Sequence, residues 1–347
     1  MKYNQVTIKD IARELGISPS TVSRALKDHP DISPETKKAV NELAEKLNYT
    51  PNIVALSLRQ SKTNTIGVVI PEIVHFFFST VISGIEDVAY SAGYNVILTQ
   101  SNESFAREAI NIKALFNSRV DGMLISLSRE TSTFDHIEAM LAKGVPMVFF
   151  DRVYDNGNSS MVVVDDLSGS KDATRHLIEQ GCKRIIHLEG PPNLAISKQR
   201  LEGFLEVMKE HNMPVDKDSI VACPLGTIEE GKLVMEKILN SPNPPDGVFA
   251  TSDPTAMGAM QAIRNKGLRI PQDIAVVGFS NWLFSSMMDP PLSSVHQPGF
   301  EMGQEAAKLL IRHIEVKSKS DLDAPAETKL LKTKLVERQS SLKKAAK

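Results

Sequence analysis

The chain has 347 residues, too many for one small domain, and its 41% hydrophobic and 24% charged residues are ordinary for a globular protein. Its net charge of −2 excludes a nucleic-acid-binding protein that is basic throughout. Residues 1–62, however, hold ten Lys/Arg and seven Asp/Glu, a net charge of +3, and the remaining residues therefore carry a net charge of −5. This distribution suits a DNA-binding head on an acidic sensing body.

The sequence gives no sign of a membrane-spanning segment or of a metal-binding site. No apolar run approaches the roughly 18 residues of a membrane span, and the N-terminus lacks the apolar core of a signal peptide. We therefore expect a cytoplasmic protein without a membrane partner. The two cysteines, Cys182 and Cys223, lie far apart and lack the paired spacing of a zinc site, so we expect neither metal nor cofactor.

Residues 7–48 predict three short helices. Thr7 can cap the first helix, and Gly16 ends it. Ser18 can cap the second, with Pro19 at its first position, and a Ser-Pro-Glu triplet opens the third. The short turn between the first two helices is typical of a helix-turn-helix unit.

Residues 51–63 predict a break, two helical turns and a polar linker. A helix of two turns is marginal in water by itself, so this one should form only when something packs against it. The expected domains are a head at 1–50, a hinge helix and linker at 51–63, a core at 64–341 and a disordered tail at 342–347.

From residue 65 onward, apolar strand candidates alternate with helical stretches. The strand candidates are 66–70, 94–99, 122–126, 146–150, 161–164, 184–188, 220–222, 247–250 and 274–279. Continuous apolar strands separated by helices indicate parallel sheets covered on both faces, and this number suits two lobes better than one. The predicted fold class is α/β: a helical head and hinge helix, then two lobes whose cleft binds a ligand. Residues 328–337 alternate like an edge strand.

Several motifs resemble the LacI/GalR family of bacterial regulators. VTIKDIA (6–12), GIS (16–18) and TVSRAL (21–26) resemble the head of that family. LNYTPN (47–52), RLEGF (200–204) and VGF (277–279) then follow in family order. The resemblance implies a periplasmic-binding-protein-like core and a repressor that binds a palindromic operator as a homodimer. A small effector, most commonly a carbohydrate or sugar derivative in this family, would control it.

The second helix of such a head lies in the major groove with its polar face toward the base edges. On that face Arg24 can make a bidentate contact to guanine, whereas capping alone explains Ser18. Pro19 offers no donor where some relatives have a polar residue. The predicted DNA contacts in the head are Thr7, Ser18, Pro19, Ser20, Thr21, Ser23 and Arg24.

In the family, a hinge helix enters the minor groove and a leucine wedges between central base pairs. Leu58 matches that leucine, and apolar wedges of this kind kink the duplex. Asn52, Ala55 and Arg59 flank it, and the small Ala55 would allow a partner helix to approach. The alternative, that Leu58 belongs to a core, is disfavoured because a short helix between domains has little core to join.

Family positions also imply an effector cleft. Its predicted residues are Phe77, Phe78, Asp165, Ile196, Arg200, Ser252, Asp253, Ser280 and Trp282. Arg200 is the expected polar anchor, because its fork of donors fits sugar hydroxyls. Ser280 stands where sugar- or purine-binding relatives commonly have Asp, and Leu194 and Ile196 replace polar residues. The ligand class is therefore open between a carbohydrate and a purine or nucleoside.

Two other classes of function compete with the regulator. A solute-binding protein shares the two-lobed body, but the helical head and the missing signal peptide oppose it. A sugar-metabolising enzyme is opposed because the sequence has no dinucleotide-binding fingerprint, phosphate-binding loop or nucleophile elbow. We therefore predict a regulator that is not an enzyme.

Overall fold

The computed structural model describes residues 6–50, 62–320 and 325–343. The predicted hinge residues Asn52, Ala55, Leu58 and Arg59 lie outside these ranges, as does most of the predicted tail. Residues 1–63 and 64–347 form two compact units. Among the described residues, no helix combines the length and apolar character needed to cross a membrane.

The first unit holds three helices: α1 (Ile8–Leu15), α2 (Pro19–Ala25) and α3 (Pro34–Lys46). The Thr7 N–H donates to Asp10 Oδ2 over 2.9 Å, which fixes the start of α1, and Gly16 ends α1 at a φ of 65°. The Thr21 N–H donates to Ser18 Oγ over 3.1 Å, so Ser18 caps α2 as predicted. Buried apolar residues from all three helices form one small core.

The second unit contains two lobes, each built on a six-stranded sheet. The N-terminal lobe has the order β11-β5-β4-β3-β1-β2, all parallel. Its strands are β1 (Thr65–Ile70), β2 (Asn95–Gln100), β3 (Gly122–Ile125), β4 (Met147–Phe150), β5 (Ser160–Val164) and β11 (Thr328–Leu331). Its helices are α4 (Phe76–Ser91), α5 (Phe105–Asn117), α6 (Asp135–Leu141) and α11 (Gly299–Ser320).

The C-terminal lobe has the order β12-β10-β9-β8-β6-β7, in which only β12 runs antiparallel to its neighbour. Its strands are β6 (Ile185–Glu189), β7 (Ile220–Ala222), β8 (Gly247–Ala250), β9 (Ala275–Ser280), β10 (Ser293–His296) and β12 (Lys334–Val336). Its helices are α7 (Asp166–Glu179), α8 (Ala195–Glu210), α9 (Ile228–Leu239) and α10 (Asp253–Asn265), with 3-10 turns at Lys217–Ser219 and Leu283–Ser286.

The chain passes between the lobes three times: after β5, after β10 and between β11 and β12. The segment predicted as one edge strand is therefore two strands, which extend the edges of different sheets. The α/β class and the two lobes are confirmed. Because parallel strands present their carboxyl ends along one edge of a sheet, both lobes offer loops to the space between them.

Glycines allow two pairs of helices to approach closely. A Cβ at Gly84 of α4 would collide with the backbone oxygen of Phe300 in α11, and one at Gly303 would collide with that of Val81. Gly231 of α9 and Gly258 of α10 make the same kind of approach. The obstacles are backbone atoms, which cannot rotate away.

Gly84→Ala should therefore force α4 and α11 apart and lower the free energy of unfolding by about 1–3 kcal/mol, the usual effect of overpacking. Thermal unfolding measures this loss. Ser83→Ala, at an exposed position one residue earlier, is the control and should change stability by less than about 0.5 kcal/mol. Equal melting temperatures for the two variants would contradict the close approach.

Candidate DNA-reading surface and ligand cavity

Helix α2 presents one polar face to solvent. Val22 and Ala25 are buried on the opposite face, whereas Ser20 and Arg24 are exposed. Ser18 Oγ lies 2.7 Å from Ser20 Oγ and 2.9 Å from Thr21 Oγ1, so these hydroxyls cluster at the start of the helix. The face offers hydroxyls at its beginning and a guanidinium near its end.

A cavity of about 440 Å³ lies between the two lobes of the core. Seven of the nine residues predicted for the effector cleft line this cavity, namely Phe77, Phe78, Ile196, Arg200, Ser252, Ser280 and Trp282. Leu194 and Leu225 also line it. The wall is apolar and aromatic on part of its area and polar or charged on the remainder, as expected of a small-molecule site.

Asp165 and Asp253, the other two predicted residues, are absent from the cavity lining. Asp165 Oδ1 accepts from the Ser168 N–H over 2.9 Å and caps α7. Asp253 is fully buried, and burial raises its pKa to about 6. Its carboxylate accepts from the Trp282 N–H at 2.7 Å and from the hydroxyls of Ser285 and Ser294 at 2.7 and 2.6 Å. It therefore holds the segment that carries Trp282.

Arg200, the predicted anchor, is bound mainly to the protein. Its Nε donates to Asp166 Oδ1 over 2.7 Å, and its Nη1 donates to the Thr251 carbonyl over 2.7 Å. Its guanidinium stacks 3.7 Å from the centre of the Phe279 ring. Both members of the Arg200–Asp166 pair are buried. These contacts make Arg200 a structural cation of the cavity wall.

Six charged residues that line the cavity were not predicted from the sequence: Glu72, Glu103, Arg129, Asp151, Arg152 and Glu229. Arg152 Nη1 donates to both carboxylate oxygens of Glu103, at 2.9 and 2.7 Å. Burial opposes ionisation of Glu103, but the charge and hydrogen bonds of Arg152, together with those of Arg129, outweigh it and lower the pKa of that carboxyl. A signal did exist, because Asp151 and Arg152 directly follow the buried strand β4 at its carboxyl end.

Asp151 lies in an environment that disfavours its charge. It is 6% exposed, has a φ of 59°, and lies 4.0 Å from the Arg152 Nε. Burial raises its pKa to about 6, although the Arg152 cation opposes the shift. A buried carboxylate in a left-handed backbone conformation, at the wall of a cavity, is typical of a functional position.

Several buried donors at the cavity have no partner in the described part of the chain. Arg152 Nε, Trp282 Nε1 and Gln297 Nε2 are buried without a hydrogen bond, and so is Nδ1 of His75. Burial, assisted by the Arg152 cation, lowers the pKa of His75 to about 4, so its ring is neutral at pH 7. Unpaired buried donors are costly, and acceptors on a ligand would satisfy them.

Ser280 has a specific role in this wall. Its backbone has a φ of 108°, and its hydroxyl donates to Gln297 Oε1 over 2.8 Å. This bond fixes the amide of Gln297 and leaves its Nε2 as the unpaired donor. The short serine side chain therefore supports a neighbouring donor. Beside it, the Trp282 ring lies edge-on to His75 with a centroid distance of 4.4 Å.

A helix-turn-helix head in one chain with a two-lobed binding core defines a ligand-responsive DNA-binding regulator. Residues 7–52 match the family of bacterial regulatory proteins of the lacI type, and residues 174–341 match the periplasmic binding protein-like domain. The ribose operon repressor of Halalkalibacterium halodurans is 36% identical over 325 residues, which are 94% of this chain and 95% of that repressor. The chain belongs to the LacI family of bacterial transcriptional regulators.

Two solved structures share the fold. The lac repressor dimer bound to operator and the anti-inducer ONPF has a TM-score of 0.84 and 25% identity, and the match covers 98% of this chain and 100% of that one. A LacI family regulator from Enterococcus faecium with bound ribose has a TM-score of 0.69 and 30% identity, covering 81% of this chain and 100% of that one. The family assignment made from the head motifs is confirmed.

Proposed function

We propose that this protein is a homodimeric repressor whose effector is a carbohydrate bound in the interlobe cavity. The observation that carries the proposal is the set of unpaired donors that line the same cavity as the buried carboxylate of Asp151. A hydroxyl both donates and accepts, so a polyol can donate to Asp151 while it accepts from Arg152, Trp282 and Gln297. Aromatic rings on the same wall can pack on the apolar face of a sugar.

The charges of the cavity favour a neutral sugar. The described lining of the cavity holds four carboxylates, those of Glu72, Glu103, Asp151 and Glu229, against the three guanidinium groups of Arg129, Arg152 and Arg200, so it has no surplus of cations for a phosphate. The ribose-bound relative and the ribose operon repressor support the same class. The protein would act by binding and release, without turnover, and would act in the cytoplasm, where the chromosome lies.

A thermal-shift screen with D-ribose, other sugars, sugar phosphates and purines tests the ligand class. A ligand stabilises the fold in proportion to the logarithm of its concentration over its dissociation constant, about 2.7 kcal/mol at a hundredfold excess. We expect a neutral sugar to raise the melting temperature. A response to purines without a response to any sugar would overturn the proposed class in favour of a purine- or nucleoside-responsive repressor.

Effector affinity should depend on pH through Asp151. Its carboxyl group accepts hydrogen bonds from ligand hydroxyls most strongly when it is ionised, and its pKa is about 6. Lowering the pH from 7 to 5 should therefore weaken binding by about tenfold, since one pH unit below a pKa leaves about a tenth of a group ionised. His75, with a pKa of about 4, stays neutral in this window. Calorimetric titration across the window measures the effect, and a flat profile would exclude Asp151 as acceptor.

We propose that α2 reads the operator from the major groove through the face that carries Pro19, Ser20, Thr21, Ser23 and Arg24, with Thr7 and Ser18 as further DNA contacts. The hinge at 51–63 would add Leu58 as a minor-groove wedge, flanked by Asn52, Ala55 and Arg59. The family resemblance and the exposed polar face of α2 support this arrangement. The head at 1–50 and the core at 64–341 would then be coupled through the hinge.

Arg24→Ala should weaken binding to a palindromic operator by roughly 5- to 150-fold, because one bidentate contact to guanine is worth about 1–3 kcal/mol. Binding to an unrelated duplex should change much less. Lys38→Ala, which removes an exposed cation of α3, is the matched control. Fluorescence anisotropy with both duplexes measures the difference. An equal loss on both duplexes would mean that Arg24 contacts phosphate and does not read a base.

A further inference from the structure

One residue of the N-terminal lobe, Arg129, makes three hydrogen bonds to the C-terminal lobe, the longest of them from its Nη1 to the Pro224 carbonyl over 3.5 Å. Arg129 follows β3, and its Nη1 donates to the Leu225 carbonyl over 2.5 Å. Its own carbonyl accepts from Asn193 Nδ2 over 2.7 Å. Pro224 and Leu225 follow β7 and Asn193 precedes α8, so all three partners lie in loops of the other lobe. Arg129 also lines the cavity, and it therefore joins the two walls of the cleft.

The same residue is tied to the charged pair at the cavity. The Arg129 N–H donates to Glu103 Oε2 over 2.7 Å, and that oxygen also accepts from Arg152 Nη1 over 2.7 Å. Arg152 in turn has its Nε buried in the cavity wall without a partner. A continuous series of contacts therefore runs from the cavity through Arg152 and Glu103 to Arg129 and the opposite lobe.

We propose that Arg129 is a positioning residue that couples occupancy of the cavity to closure of the lobes. The inference rests on the proposed effector cavity and concerns its regulation. A ligand that accepts from Arg152 Nε holds Arg152 against Glu103, and Glu103 holds the backbone of Arg129 where its side chain reaches Leu225. A ligand shifts the equilibrium between open and closed lobes only through contacts that differ between these two states. The contacts from Arg152 through Glu103 to Arg129 reach the opposite lobe, so they can differ in this way.

The single tryptophan provides a test that needs no ligand. Trp282 lines the cavity, so quenching of its fluorescence by acrylamide reports how far the lobes open. Arg129→Met removes the hydrogen bonds that the guanidinium makes to the other lobe, so the lobes should open more often. We expect the quenching constant of this ligand-free, full-length variant to exceed that of the wild type by about twofold or more. Arg129→Lys should lie between this variant and the wild type, because an ammonium can still donate to the Leu225 carbonyl. Arg107→Met, on the exposed face of α5, should match the wild type.

Circular dichroism of each variant establishes that the fold is retained. Unchanged quenching in a folded Arg129→Met variant would overturn the role of Arg129. D-ribose then serves as the probe for dissociation measured by stopped-flow. Its release from Arg129→Met should be about tenfold faster than from the wild type, because such losses act mainly on dissociation. If the wild type gives no response to D-ribose, that sugar is excluded as effector, while the quenching result still decides the role of Arg129.

Discussion

Arg200→Met is expected to lower the free energy of unfolding by about 3–5 kcal/mol, the usual cost of leaving one member of a buried ion pair unpaired. Asp166 would remain with its side chain only 1% exposed and would lose the guanidinium that bonds it at 2.7 Å. The Thr251 carbonyl would lose its donor as well. For a domain of this size the melting temperature should fall by on the order of 10 °C.

Two further variants separate the ion pair from general packing. Arg175→Met breaks two exposed ion pairs, with Asp172 and Glu210, and should cost less than about 1 kcal/mol. Adding Asp166→Asn to Arg200→Met removes the unpaired charge and should recover part of the loss. The loss should also be smaller at pH 5 than at pH 8, because burial raises the pKa of Asp166 and protonation neutralises it.

This experiment also decides between two roles for Arg200. If Arg200→Met melts like the wild type and loses only its effector response, Arg200 is a ligand anchor, as its position in the sequence suggests. If the variant is destabilised as expected, Arg200 is a structural cation whose place in the cavity wall is incidental to recognition. Effector titration and thermal unfolding on the same preparation distinguish these outcomes.

The strands that could be predicted from the sequence are those with continuous apolar runs. All nine strand candidates correspond to β1 to β9 within about two residues. Strand β10 was missed because its buried residues Ser293 and Ser294 are polar. Ser293 Oγ donates to the Arg338 carbonyl over 2.8 Å, and Ser294 Oγ donates to Asp253. These partners lie about 40 residues away, so no local pattern marks the strand as buried.

The candidate site could be predicted where family position and side-chain type agree, as at Phe77, Phe78 and Trp282. Asp253 was predicted for the effector cleft from its family position, but its hydroxyl partners are distant serines. The sequence marks Asp151 only by its place directly after the buried strand β4. Its importance comes from burial and from a backbone φ of 59°, which only the folded chain shows.

Asp151→Asn should weaken effector binding by about 100-fold while it stabilises the ligand-free protein. Two hydrogen bonds to a carboxylate are worth about 3 kcal/mol or more in total, which corresponds to this factor. The stabilisation has a separate cause. The pKa of Asp151 rises from 3.8 to about 6 on folding, so its ionisation costs on the order of 3 kcal/mol at pH 7. Asparagine also tolerates the left-handed backbone better than most residues.

The raised pKa of Asp151 determines how the stabilisation by Asp151→Asn changes with pH. Because Asp151 binds its proton more tightly in the folded state, its ionisation destabilises the fold progressively as the pH rises from about 4 to about 6. The melting temperature of Asp151→Asn should therefore match the wild type near pH 4 and exceed it above pH 6. The control is Asp155→Asn, at an exposed position where Asn can still accept from the Gly157 N–H. An Asp151→Asn variant that is less stable than the wild type and also binds effector more weakly would contradict this role of Asp151. If the buried charge is kept for the ligand, removing it should stabilise the ligand-free protein.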